Sequence, residues 1–186
     1  LSRPLQRLME LGLVRRDQPF GASTRDSKRS AYRIADPFLR FWFRFVEPER
    51  SRLESRRLDP VADAIEREFP LHVSSVWEDL IRQSVPRHDW LGCRWGAASS
   101  WWGPGTDGRP MELDVVAESE DASCLLVVEV KWSFGVDVPR TMRTLQRKAA
   151  NLPLAAGRPV RLALWVAGPA AIGETRGVFT ADDVVT

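Results

Sequence analysis

Four side chains in this chain are of the types that hydrolyse phosphodiesters: Glu78, Asp114, Glu129 and Lys131. Glu129 and Lys131 are set into the end of an almost continuous apolar run, Leu125, Leu126, Val127, Val128 and Val130, the pattern of a strand buried on both faces. Their i, i+2 spacing puts both side chains on one face, about 7 Å apart along the strand at about 3.3 Å per residue. Burying a carboxylate and an ammonium there is costly unless each has a partner, and a divalent cation with a bound phosphate would supply both.

Asp114 sits among Leu113, Val115 and Val116 in the preceding apolar segment. If the two strands pair as a simple hairpin, Asp114 and Glu129 become neighbours, and two carboxylates, a backbone carbonyl near Val130 and water make the all-oxygen shell that Mg2+ or Mn2+ prefers. Glu78, beside the stripe Val73, Trp77, Leu80, Ile81, can add a third carboxylate. A metal so held polarises a phosphoryl oxygen and lowers the pKa of an attacking water, while Lys131 stabilises charge developing on the phosphate. Lys28, Lys131 and Lys148 are the only lysines among 27 basic residues, which makes a lysine at such a place conspicuous.

The elements that would position these groups follow from periodicity and punctuation. Leu5, Leu8, Met9 and Leu11 recur at helical spacing up to Gly12. LVRRDQPF and SAYRIAD then read as short strands around the polar loop Gly21 to Ser30, the way a winged helix ends. Asp36 caps a helix with Pro37 in its first turn, and the aromatic stretch Phe38 to Val46 reads as a helix buried on most sides. The charged stretch 47–57 reads as a linker, dividing a module at 1–46 from a domain at 58–186. Asp59–Pro60 starts a helix to Phe69, and Pro70 starts another to about Val85. A turn-rich, tryptophan-rich segment, Trp90 to Gly108, comes next. Strands at Pro110 to Ala117 and Ser123 to Trp132, a helix at Val138 to Asn151 and a strand at Val160 to Ala167 complete an α/β order of helix, three strands, helix, strand.

This arrangement resembles the PD-(D/E)XK nuclease superfamily: Glu129-Val130-Lys131 stands fifteen positions after Asp114, with Glu78 on a preceding helix, over roughly Leu58 to Ala167. The resemblance implies a restriction-endonuclease-like core and a Mg2+- or Mn2+-dependent nuclease. Gln146 looks like the glutamine that some branches place on the following helix, and Arg147 and Lys148 are in position to touch phosphate. Leu113 stands where a proline is usual. A second resemblance spans nearly the full chain: YRIADPFLRFWFRFV, the tryptophan-rich segment, MELDVVA and VVEVKW look like the C-terminal half of archaeal-type AAA+ ATPases. It implies an ATPase module N-terminal to this piece, which itself has no glycine-rich phosphate loop, because no lysine follows a glycine. The opening LSRPLQRLMELGLV likewise reads as the middle of a helix in a larger protein.

Whole-chain properties bound the alternatives. A formal net charge of +2 gives no global field for nucleic acid, so binding would depend on local patches such as Arg25, Lys28 and Arg29 in the hairpin loop. Cys93 and Cys124 have no C-x-x-C partner, and His72 and His88 have no ligand spacing with them. A reducing cytoplasm fits, and no stretch is long and apolar enough to span a membrane. Trp90, Trp95, Trp101 and Trp102 read as core residues before they read as base-stacking platforms. Two non-catalytic readings stand beside the nuclease: a nucleic-acid-binding or regulatory module serving the ATPase, and an oligomerisation domain using the aromatic helix.

Overall fold

The structure, a computed structural model, describes residues 2–23, 29–168 and 176–185. The chain divides into two compact units, Leu1–Asp17 with Ser27–Val76, and Gln18–Asp26 with Trp77–Thr186. In the first, helix α1 (Arg3–Glu10) leads into an antiparallel hairpin, β1 (Val14–Asp17) and β2 (Ala31–Ile34), with Val14 opposite Ile34. Asp36 accepts the Leu39 N–H at 2.9 Å and starts helix α2 (Pro37–Phe41), which continues through a π-helical turn at Trp42–Val46.

The aromatic stretch is less buried than its composition suggests. Phe45 is buried, but Phe38 and Phe43 are 64% and 55% exposed. Two rings of the stretch, Phe41 and Phe45, meet His72 edge-on, and Phe69, further along the chain, stacks on the same imidazole. Burial, together with the charges of Arg40 and Arg44, lowers the His72 pKa, so this imidazole is a neutral packing group. The charged stretch expected to be a linker is helical from Glu47 through α3 (Arg50–Glu54). Its charges pair at one-turn spacing, Arg50 with Glu47 at 3.2 Å and Arg52 with Glu49 at 2.7 Å.

A single 26-residue helix, α4 (Asp59–Ser84), replaces the two helices expected around Pro70. Proline there forfeits one backbone hydrogen bond at a cost of about 3 kcal/mol. The helix runs through because Phe69 and His72, on either side of Pro70, are fixed by the ring cluster.

Among the described residues the second unit is built on a five-stranded mixed sheet, ordered β3 (Ser99–Pro104), β4 (Pro110–Glu118), β5 (Leu125–Lys131), β6 (Val160–Val166) and β7 (Val178–Phe179). The first three strands run antiparallel, and β6 and β7 lie parallel to β5. Helix α5 (Val138–Ala150), capped by Asp137, connects β5 to β6, as a parallel pair requires; a short helix, α6 (Asp182–Val185), follows β7. The apolar run of β5 is buried on both faces. Leu126, Val128 and Val130 pack with Trp77, Ile81, Trp95 and Trp165; Leu125 and Val127 pack with Leu145, Ala149 and Leu152.

The tryptophan-rich segment supplies β3 and core rings. Trp90 lies edge-on to Trp165 and Phe179, Trp95 gives its indole N–H to the Trp90 carbonyl at 2.9 Å, and Trp101 is buried on the opposite face. Cys93 and Cys124 are both free. Among the described residues no helix is long and apolar enough to cross a membrane.

Candidate functional site

The ladder between β4 and β5 runs from Glu118 opposite Leu125 to Val115 opposite Val128, and stops one step before Asp114 would meet Glu129. On its other side β4 is irregular at the same place: the two-residue step from Ser99 to Trp101 on β3 faces a three-residue step from Val116 to Leu113 on β4. This is a bulge, and it breaks the alternation of the strand, so that Leu113 packs in one core cluster and Val115 in the other. Asp114 lies inside it.

A bulge leaves backbone groups without ladder partners, and buried ones must find substitutes. Asp114 supplies one through its side chain, where Oδ2 accepts the Val130 N–H at 2.8 Å. Arg82 of α4 supplies the other by giving Nη1–H to the Asp114 carbonyl at 2.7 Å. The same guanidinium holds Asp79 at 2.6 Å and stands 3.7 Å from Glu78. Asp114 is therefore held through both its side chain and its backbone carbonyl at the end of the β4–β5 ladder.

Glu129 is almost fully buried, and each of its oxygens meets an ammonium: Oε1 accepts from Lys131 Nζ at 2.6 Å and Oε2 from Lys148 Nζ at 2.9 Å. Burial pushes the Glu129 carboxyl up, but the hydrogen bonds and charges of the two lysines outweigh it and hold its pKa below the ordinary range. Burial pulls Lys131 down, but the bond to Glu129, with the charges of Asp114 and Glu78 behind it, leaves its pKa raised, so it stays protonated. Asp114 is raised by burial and by the charge of Glu129, against the Val130 N–H and the two lysines. Glu78 is raised by burial and by the charge of Asp114, with Arg82 opposing.

These mutual influences group Glu78, Asp114, Glu129, Lys131 and Lys148 into one electrostatic site in the second unit. Among the described residues, no three carboxylate, histidine or cysteine side chains are set closely enough to form a ready metal cluster. The donor chemistry nonetheless suits a hard divalent cation. All three acids offer oxygen, the pKa values of Glu78 and Asp114 are raised by burial and then by neighbouring negative charge, and Asp114 Oδ1 makes no hydrogen bond among the described residues.

The remaining expected contacts fall elsewhere. Gln146 lines a shallow groove with Thr106, Ala150 and Arg158; two residues from Lys148 on α5, it points about 200° away around the helix and is not brought to the carboxylates. Arg147 is exposed and reaches Thr144 at 3.5 Å. Arg29 lies in the turn before β2, in the first unit, and Arg25 and Lys28 lie outside the described residues. Glu112 is exposed.

Sequence reasoning overlooked Arg82 and Asp79. The available signal was the helical spacing Glu78-Asp79-x-x-Arg82, which sets both acids one turn from the arginine. Replacing Arg82 with alanine removes a charge-assisted bond to buried Asp79 and the donor to Asp114, and is expected to cost about 2–3 kcal/mol. Lysine restores the charge but not the fork, so it should recover only part of the loss. Denaturant titration of the three proteins checks this ordering.

A family profile described as archaeal and bacterial proteins of unknown function matches residues 42–146. An uncharacterized protein of Methanocaldococcus jannaschii is 27% identical over 154 residues, covering 80% of this chain. The chain spans about a third of that relative's length, with 33% of it aligned.

Proposed function

Because the chain belongs to the DUF234 family, whose function is unstated, we propose an activity from its own residues: divalent-metal-dependent hydrolysis of phosphodiester bonds, with DNA as the expected substrate. The observation that carries this reading is the clasp of Asp114 onto Val130 N–H, two residues before which the ladder ends and beside which Glu129 and Lys131 share one face. The order helix, three antiparallel strands, helix, parallel strand supports a restriction-endonuclease-like core. The AAA+ resemblance supports reading the chain as the C-terminal part of a longer cytoplasmic ATPase whose ATPase module lies N-terminal to it.

In this reading Asp114 and Glu129, with Glu78 beside them, would hold the cation, and a Mg2+ or Mn2+ ion there would supply Lewis acidity toward the phosphoryl oxygen and a lowered pKa for the attacking water. Lys131, kept protonated by its carboxylate neighbours, stabilises the charge that develops on the phosphate. Lys148 holds the second oxygen of Glu129 at 2.9 Å and so restrains the orientation of that carboxylate. Arg82 holds the Asp114 backbone so that its side chain faces Val130.

A second reading, a non-catalytic nucleic-acid-binding or regulatory module, is favoured by one observation: both oxygens of Glu129 are already taken by lysines. The two are separated by incubating the purified protein with supercoiled, linear duplex and single-stranded DNA and with RNA, in Mg2+ or Mn2+. Cleavage that stops with chelator and returns with metal is the expected result. No cleavage of any substrate in either metal would leave the binding-module reading.

A further inference from the structure

Helix α5 carries three arginines that the proposed chemistry does not use. Leu145 and Ala149 turn one side of the helix to the sheet, and Lys148 on one flank reaches Glu129. At about 100° per residue, Arg140, Arg143 and Arg147 fall within about 60° of each other on the outward side. All three are exposed.

Elsewhere on the surface arginines stand beside carboxylates, as Arg44 does with Glu68, Arg50 with Glu47 and Arg52 with Glu49. Helix α5 contains no acidic residue, and its capping Asp137 is engaged with the backbone N–H of Arg140. Among the described residues none of the three guanidiniums meets a carboxylate; Arg147 touches only Thr144 Oγ1 at 3.5 Å. Like charges one turn apart cost a helix a few tenths of a kcal/mol per pair. An unneutralised row of them is a solvated face with a standing repulsion that a polyanion relieves.

The spacing fits one polyanion. Seven residues of helix rise about 10 Å, and one strand of duplex nucleic acid presents a phosphate about every 3.4 Å of its axis, so the row spans about three phosphates. We infer that the outward ridge Arg140–Arg143–Arg147 of α5 is a track for the sugar–phosphate backbone of nucleic acid, joined by Lys148 of the same helix to the carboxylate site. This rests on the nuclease reading for its substrate but not for its measurement.

The test is binding, read by fluorescence anisotropy, of the full chain carrying Lys131→Ala to labelled duplex DNA, single-stranded DNA and RNA over a range of salt. Arg140→Ala, Arg143→Ala and Arg147→Ala together should lower the slope of log affinity against log salt by about 2–3. Between roughly 50 and 200 mM salt, the parent should then lose about 20- to 40-fold more affinity than the triple variant. The corresponding triple lysine variant should restore the slope, and Arg50→Ala with Arg52→Ala should leave it unchanged. An unchanged slope in the triple alanine variant, or no binding by the parent, overturns the inference. Salt-dependent binding through the ridge by a wild-type chain that never cuts would retain it and remove the nuclease reading instead; the probe with the largest slope difference identifies the nucleic acid.

Discussion

Lys131→Ala is expected to abolish metal-dependent cleavage while leaving the fold standing. Its ammonium is partly open to solvent and fixed at 2.6 Å from Glu129 Oε1, and Lys148 holds Oε2 independently of it. Deleting a preorganised charge that acts on the transition state costs about 100- to 1000-fold in rate. The pair itself is solvent-screened on the lysine side, at 41% exposure, so its loss should cost stability only about 1 kcal/mol or less. Arginine at this position keeps the charge but spreads it over a planar fork and should recover little activity. Cleavage rates and unfolding midpoints measured on the same preparations read the two effects apart. Undiminished cutting by Lys131→Ala would end the nuclease proposal.

Asp114→Asn is expected to make the protein more stable and inactive. Burial and the neighbouring charge of Glu129 raise the Asp114 pKa, so the folded state binds that proton more tightly than the unfolded chain does. Its ionisation therefore opposes folding. The penalty is absent below the unfolded pKa of about 3.9, grows as pH rises, and is complete above the raised folded value. Asparagine avoids that penalty and still offers a carbonyl oxygen to the Val130 N–H that Asp114 Oδ2 holds at 2.8 Å. The variant should gain most at neutral pH and lose its advantage in acid. For a chain of this size each 1 kcal/mol gained raises the midpoint by about 2–4 °C.

The same substitution should remove the response to metal. Wild-type protein is expected to melt at rising temperature as Mn2+ is added, because ligand that binds only the folded state stabilises it by mass action. The variant should not respond, and its cleavage should be lost. A lower midpoint at neutral pH would show that Asp114 is held chiefly by attractive partners, and that charge crowding does not shape the site.

Much of this could be read along the chain because it depends on neighbours in sequence. The apolar run at Leu125 to Val130 marks a strand buried on both faces, and the two-residue step from Glu129 to Lys131 puts them together whatever surrounds them. Asp36 and Asp137, each before a proline-containing first turn, mark where helices begin. What only the tertiary structure decided depends on partners far away in sequence. No local pattern announces the bulge at Asp114, since a bulge is a mismatch between two strands. Arg82 meets the Asp114 carbonyl only because that mismatch frees it. Lys148 rather than Gln146 faces Glu129 because the burial of Leu145 and Ala149 sets the rotation of α5 on the sheet. Periodicity reports which side of an element is apolar; hydrogen-bond partners and charge neighbours are set by how those sides are assembled.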